Sequence, residues 1–167
     1  TLNKYARDQV ADLKIHACTD VTGFGLAGHA LEMAKGSGRT LSISLSALPI
    51  MTGALDYASM GLIPAGAYRN REFAGGECEF SWKNHSGESS ENFWLEKTRC
   101  EAVQNETGRS ETIINEAELA AREDIVFDPQ TSGGLLLSID SQDAGKAISR
   151  LSSLSLPCAV IGRVINL

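Results

Sequence analysis

The sequence predicts an α/β protein, an α+β two-layer sandwich in which a mixed sheet carries helices packed mainly on one face. Two observations lead to this fold class. Short apolar runs typical of strands alternate along the chain with longer segments whose apolar residues recur at helical spacing. The chain has 167 residues, 43% of them hydrophobic, which is enough to bury one ordinary core. We therefore treat residues 1–167 as a single domain.

Local signals place the elements of the first half. Gly36, Ser37 and Gly38 form a helix stop signal, and Pro49 is tolerated only near the start of a helix. The run LSISL alternates apolar and polar residues, which predicts a half-exposed strand. In chain order, we predict a helix over Thr1–Asp12, a strand over Leu13–Thr19, a helix over Gly25–Lys35, a strand over Leu41–Leu45 and a helix over Ser46–Met60.

The second half begins with a loop leading into a helix at Gly61–Asn70, and then becomes polar and glycine-rich. We interpret the segment at about 75–110 as a surface insertion, a small hairpin with its tip around His85–Ser90. Regular structure is predicted to resume with a helix over Glu111–Glu123, a strand over Ile125–Phe127, a turn over Pro129–Gly133, a strand over Gly134–Ile139, a helix over Gln142–Leu154 and a strand over Cys158–Ile165.

Charge and composition exclude several classes of function. The net charge is −6, from 15 basic and 21 acidic residues, and no basic run is present, which argues against nucleic-acid binding. No stretch approaches the roughly 20 apolar residues that a membrane-spanning helix needs. The four cysteines form no C-x-x-C pair, so we expect reduced thiols rather than disulfides or a zinc site. A cytoplasmic protein with no nucleic-acid or membrane partner is the expectation.

The segment Cys18–His29, CTDVTGFGLAGH, runs from a predicted strand through glycines into a helix. Gly23, Gly25 and Gly28 match G-x-G-x-x-G, whose glycines allow a helix N-terminus to approach a pyrophosphate. A dinucleotide site also needs an acidic residue at the end of the next strand, to hold the ribose. Ser46–Leu48 stands there instead. The dinucleotide interpretation is therefore disfavoured.

Asp20 ends this strand, immediately before the glycine turn. It has two interpretations: a carboxylate that caps the turn, or a hard oxygen ligand for Mg²⁺ beside a phosphate. Residue spacing alone leaves the two about equally supported.

Two motifs carry a family resemblance. HACTDVTGFGLAGH (His16–His29) and DPQTSGGLL (Asp128–Leu136) are similar to signatures of the selenophosphate synthetases, relatives of aminoimidazole ribonucleotide synthetase. The resemblance implies a two-domain enzyme that converts ATP, selenide and water, with Mg²⁺, into selenophosphate, AMP and phosphate, for selenocysteine synthesis. The chain would be its C-terminal domain, without the N-terminal domain that carries most of the ATP site. We expect this fragment to be inactive alone, and the whole enzyme to be a homodimer.

The resemblance also implies roles for individual residues. Asp20 would be the metal ligand, and no catalytic residue is assigned within this fragment. Arg69 and Asn70 lie in IPAGAYRN, which resembles a family stretch with Gly at the position of Ala65 and Thr at that of Ala67. This departure removes a hydroxyl from position 67. The residues expected beside the phosphates are Thr22, Gly23, Gly25, Gly28 and Asn70.

Alternatives remain for the flanking residues and for the function. We interpret His16 and His29 as packed or surface residues rather than catalysts, and the Asp128–Leu136 motif mainly as a structural turn. A non-catalytic nucleotide- or protein-binding module would use the same fold. Another ATP-dependent enzyme of the same superfamily is a third possibility. By resemblance, TDVTGFG with its Phe24 and DPQTSGGLL favour the selenium branch.

Overall fold

The computed structural model describes residues 3–82, 93–97, 116–155 and 157–165 and confirms the α/β class. The helices are α1 Asn3–Val10, α2 Gly25–Ser37, α3 Ala54–Ser59, α4 Ala65–Ala74, α5 Glu116–Ile125 and α6 Ser141–Ser152. The strands are β1 Ile15–Asp20, β2 Thr40–Ser44, β3 Cys78–Trp82, β4 Phe93–Lys97, β5 Leu135–Ile139 and β6 Gly162–Ile165. Short 3-10 turns occupy Leu45–Ala47 and Gly75–Glu77.

One sheet consists of β1 and β5, which are antiparallel and pair Asp20 with Leu135 at one end. A small core joins this sheet to α1 and α6: Val10, Leu13 and Ala147 are buried, and half-buried apolar residues of both strands pack against them. The helices therefore lie on one face of this sheet. The sequence predicted one mixed sheet, whereas the described strands form two sheets.

The second sheet is mixed, with strand order β3-β4-β2-β6. β2 runs antiparallel to β6 and parallel to β4, and β3 also runs parallel to β4. A hairpin requires antiparallel strands, so the predicted hairpin within residues 75–110 is wrong for the β3–β4 pair. The predicted tip, His85–Ser90, lies outside the described residues.

The larger core lies between α2, α4 and β2. Its members include Ala27, Leu31, Ile43 and Phe127, all nearly or fully buried. The first four residues of β2 are buried, so the half-exposed strand predicted from LSISL is wrong. β2 is an inner strand, with β4 on one side and β6 on the other. Its polar residues Thr40 and Ser42 are therefore buried as well, although the alternation of apolar and polar residues in LSISL predicted that Ser42 would be exposed.

Three further elements differ from their predictions. Of the strand predicted over Cys158–Ile165, only Gly162–Ile165 is a strand. Ile125–Phe127 is not a strand, because α5 ends at Ile125 and the N–H of Phe127 donates to the Asp124 carbonyl at 3.1 Å in the turn that follows. Ser46–Met60 contains the end of a 3-10 turn and the six-residue α3 rather than one long helix. Pro49 lies between these two pieces and cannot donate a helical hydrogen bond.

α1, α2 and α6 begin and end within two residues of their predicted bounds. For α5, residues 111–115 of the predicted helix lie outside the described residues, and the helix ends two residues beyond its predicted end. α2 stops at Gly38, which has a left-handed φ of 60°, as the Gly-Ser-Gly signal predicts. The side chain of Asp140 caps α6 by accepting the N–H of Gln142. Among the described helices, none combines the length and apolar character needed to cross a bilayer.

Candidate functional site

Asp20 ends β1 with its side chain exposed. Strand alternation brings His16, Cys18 and Asp20 to the same, exposed face. The Asp20 end of this strand opens onto a groove of about 390 Å³. The groove is lined by Asn3, Lys4, Arg7, Cys18, Thr19, Asp20 and Leu135.

The charges of the groove are mixed. Lys4 and Arg7 lie one helical turn apart on α1, and Arg7 also pairs with Asp8 at 3.3 Å. Both residues line the groove together with Asp20. Such a surface suits an anion that also carries a bound cation. Lys4 and Arg7 carry no signal in the sequence that marks them as site residues, because only the packing of α1 against the sheet brings them to the groove of Asp20.

Cys18 lines the same groove. Partial desolvation, together with the negative charge of Asp20, raises the pKa of its thiol. The thiol is therefore protonated at neutral pH, which does not favour a nucleophilic role.

The turn that follows Asp20 is bound to the second motif. The N–H of Val21 donates to the Gly134 carbonyl at 2.9 Å, and the N–H of Gln130 donates to the Thr22 carbonyl at 3.0 Å. The same Thr22 carbonyl accepts the N–H of Gly25 at 3.0 Å. Two motifs about a hundred residues apart in sequence therefore form one structure at the end of β1.

Gly25 and Gly28 have packing reasons to be glycine. Gly25 has φ of +70°, and a Cβ there would lie 2.8 Å from the backbone carbon of Phe127. A Cβ at Gly28 would lie 2.7 Å from Cβ of Phe24. The N–H of Ala27 donates to the Val126 carbonyl at 2.8 Å, so part of the helix N-terminus is already satisfied within the chain. Gly23, in contrast, is exposed, and a Cβ at this position would have no described atom within 4 Å.

Asn70 is buried and is hydrogen-bonded to the glycine turn. Its side-chain amide donates to the Gly23 carbonyl at 2.8 Å and to the Phe127 carbonyl at 2.9 Å. Arg69 is exposed beside it. Arg71 donates to Glu123 and Asp124, fixing α4 against α5. The family resemblance selected Asn70 as a residue beside the phosphates, and that role stays a prediction. Its two described hydrogen bonds go to backbone carbonyls of distant segments, which the sequence did not indicate.

His29 lies in α2 with Thr22 on one side and Glu32 on the other. The Oγ1 of Thr22 is 2.9 Å from Nε2 of His29, and Nδ1 of His29 is 3.2 Å from Oε2 of Glu32. His16 is half exposed and lies 3.7 Å from Asp140. The two histidines of the motif are therefore in different surroundings, one in a hydrogen-bonded chain and the other at the surface.

Asp128 opens the second motif. Burial raises the pKa of its carboxyl group, and a hydrogen bond from the Gln130 side chain at 2.9 Å opposes that rise. The motif also packs tightly: a Cβ at Gly66 of α4 would lie 2.5 Å from Cγ of Pro129. These contacts agree with the interpretation of Asp128–Leu136 as mainly structural.

Among the described residues that line the groove, Asp20 is the one that carries a carboxylate. Magnesium prefers carboxylate, water and phosphate oxygens, and Asp20 supplies one exposed carboxylate. No group of three His, Cys, Asp or Glu side chains is placed to hold a metal ion among the residues that the structure describes. The chemistry of Asp20 fits the role of one carboxylate ligand for Mg²⁺.

Comparison with known proteins gives consistent matches. The family model described as AIR synthase related protein, C-terminal domain, matches residues 4–166. A selenide, water dikinase of Clostridium botulinum (strain Alaska E43 / Type E3) is 38% identical over 166 residues, 99% of this chain and 38% of the relative. Selenide, water dikinase 2 of Peptoclostridium acidaminophilum is 39% identical with the same coverage, and the protein of that name from Treponema denticola is 37% identical over 98% of this chain. The chain spans about 38% of the length of these curated relatives.

Proposed function

Because the chain belongs to the family of AIR synthase-related C-terminal domains, we propose that it is the C-terminal domain of a selenophosphate synthetase (selenide, water dikinase). The complete enzyme converts ATP, selenide and water into selenophosphate, AMP and phosphate. The selenophosphate would donate selenium for selenocysteine synthesis. ATP, selenide and the enzyme's own N-terminal domain are the proposed partners, and a cytoplasmic homodimer is the proposed assembly.

One observation carries the proposal: an exposed carboxylate stands at the end of β1, at the edge of a groove that also contains two cationic side chains. In the proposed complex, Asp20 contributes one ligand to Mg²⁺. The bound Mg²⁺ would offset the negative charge of the phosphates. Lys4 and Arg7 are the basic side chains that line the groove, and they would draw phosphate oxygens towards it.

The other predicted residues shape this edge rather than line the groove. Thr22 and Gly25 form the turn, and Asn70 donates a hydrogen bond to the Gly23 carbonyl within it. Gly28 lies in α2, where it packs against Phe24. Gly23, exposed at the top of the turn, is the glycine that we propose to lie beside a phosphate. Its lack of a side chain leaves room for a close approach.

The proposal is tested by selenide-dependent AMP formation from ATP and Mg²⁺. The chain is assayed alone and after it has been joined to the N-terminal half of its own protein. Activity in the joined form only supports a domain that contributes part of a site. A joined protein that folds but forms no AMP with selenide contradicts the selenium assignment.

The same assay distinguishes the two alternative functions, a binding module and another enzyme of the superfamily, from the proposed one. A non-catalytic binding module would bind nucleotide without selenide-dependent turnover. Another enzyme of the superfamily would form product with a different phosphate acceptor in place of selenide. The similarity to proteins named selenide, water dikinase over nearly the whole chain favours the selenium reaction over both.

A further inference from the structure

His29 joins an exposed carboxylate to the turn that follows Asp20. Its Nδ1 lies 3.2 Å from the Glu32 carboxylate, one turn further along α2, and its Nε2 lies 2.9 Å from the Thr22 hydroxyl. The imidazole side chain is only 10% exposed, whereas the Glu32 side chain is 53% exposed. The Phe24 ring lies against the imidazole, with 5.6 Å between the ring centroids. Both ring nitrogens of the buried His29 therefore have a hydrogen-bond partner.

The chemistry of the three groups sets the direction of the hydrogen bonds. An ionised carboxylate only accepts hydrogen bonds, so Nδ1 of His29 must carry the proton that is shared with Glu32. In the neutral imidazole, Nε2 is then an acceptor, and the Thr22 hydroxyl donates to it. The second partner of a histidine fixes which nitrogen carries the proton.

Thr22 is bound through its main chain as well. Its carbonyl accepts the N–H groups of Gly25 and Gln130, so this residue joins the first motif to the second. From these contacts we infer that His29 is a positioning residue: held in one tautomer by Glu32, it orients Thr22 and the turn adjoining Asp20. His29 is not among the residues that line the groove, and it acts through Thr22.

The tautomer can be measured on the chain itself, without any assay of activity. With the imidazole labelled with ¹⁵N, the His29 signals should report a protonated Nδ1 and an unprotonated Nε2. In Glu32→Ala, the Nε2-protonated form should become populated, because the acceptor for Nδ1 is gone. Glu32 is exposed, so the fold should survive this change. A wild-type His29 protonated at Nε2, or identical His29 signals in Glu32→Ala, would overturn the inference.

The effect on turnover rests on the proposed function and is measured in the full-length enzyme. Loss of an outer-shell partner typically costs 10–100-fold, so Glu32→Ala should lower kcat about tenfold, with a smaller change in KM. Thr22→Val should lower kcat similarly, and Thr22→Ser, which keeps the hydroxyl, should restore it. Glu72→Ala, at an exposed glutamate of α4, is the matched control and should keep wild-type turnover.

The two possible failures are distinguishable. A wild-type full-length enzyme that forms no AMP contradicts the proposed function, and the ¹⁵N signals then decide the role of His29 alone. An active wild type whose Glu32→Ala and Thr22→Val variants turn over normally contradicts the positioning role, even if the tautomer shifts as expected.

Discussion

Gly133 lies directly against the Val21 carbonyl: a Cβ at position 133 would stand 2.0 Å from that oxygen. Val21 directly follows Asp20 at the end of β1, and Gly133 belongs to the second motif, Asp128–Leu136. The contact between them is where this motif passes the end of the strand. The neighbouring N–H of Val21 donates to the Gly134 carbonyl, so the two segments touch along their backbones. Close backbone approach, rather than flexibility, is why position 133 is glycine.

Gly133→Ala should therefore destabilise the domain, since the obstructing atom belongs to the backbone and cannot rotate away. Overpacking of this kind costs about 1–3 kcal/mol, and we expect the upper part of that range. Gly134→Ala is the matched control, because no atom of the described residues lies within 4 Å of its Cβ position. Urea unfolding of both variants measures the difference. Equal stabilities would contradict the close approach.

Asn70→Ala should also lower the free energy of unfolding. The change removes both hydrogen bonds of the Asn70 amide and leaves the Gly23 and Phe127 carbonyls without that donor, at a cost of about 2–3 kcal/mol. Arg69→Ala, next to it and exposed, should change stability by less than about 0.5 kcal/mol. Thermal and urea unfolding measure both variants, and an Asn70→Ala protein as stable as Arg69→Ala would refute this role.

Asp20→Asn should separate activity from stability. In the full-length enzyme we expect selenide-dependent AMP formation to fall about 100-fold or more, because loss of a charged ligand costs more than loss of an outer-shell partner. Stability should change by less than about 0.5 kcal/mol, since the side chain is exposed. Asp56→Asn, on an exposed position of α3, should leave both unchanged. Normal turnover of Asp20→Asn would remove Asp20 from the site.

The ion pair between Asp12 and Arg150 predicts a pH dependence. Arg150 donates to both carboxylate oxygens of Asp12, at 2.5 and 3.2 Å, and joins the end of α1 to α6. This hydrogen bonding lowers the pKa of Asp12 from 3.8 to about 2. The carboxylate therefore contributes stability above about pH 4, which is lost as the pH falls towards 2. Asp12→Asn and Arg150→Gln should each flatten the stability profile between these pH values. An unchanged slope in either variant would contradict the assignment.

The sequence predicted correctly those helices and strands that are determined by periodicity and stop signals within a few neighbouring residues. The helical spacing over Gly25–Lys35 and the Gly36–Gly38 stop signal anticipated α2 to within two residues. The apolar run before Asp20 anticipated β1, and with it the position of the carboxylate at a strand end. The same reasoning failed at Ile125–Phe127, where β-branched and aromatic residues fill a buried turn against α2.

Only part of the candidate site could be predicted from local sequence signals. Asp20 and the glycines could be selected by motif, whereas the groove contributed by Lys4 and Arg7 could not, since α1 carries no pattern that points to a strand end. Asn70 was selected by resemblance, but its partners are Gly23 and Phe127, 47 and 57 residues away. Patterns along a chain do not report which distant backbone carbonyls need a donor.

By itself, the sequence determined the fold class, the run of α2 and β1, and the motif that places a carboxylate before a glycine turn. These follow from periodicity and residue type, which act over a few neighbouring residues. Only the tertiary structure showed that the second motif is hydrogen-bonded to the first. It also showed that the backbone around Gly25 and Gly133 leaves no space for a side chain, and that His29 lies between Glu32 and Thr22. Such relationships depend on close packing between segments, which fixes atoms to within a few tenths of an ångström and leaves no local signal in the sequence.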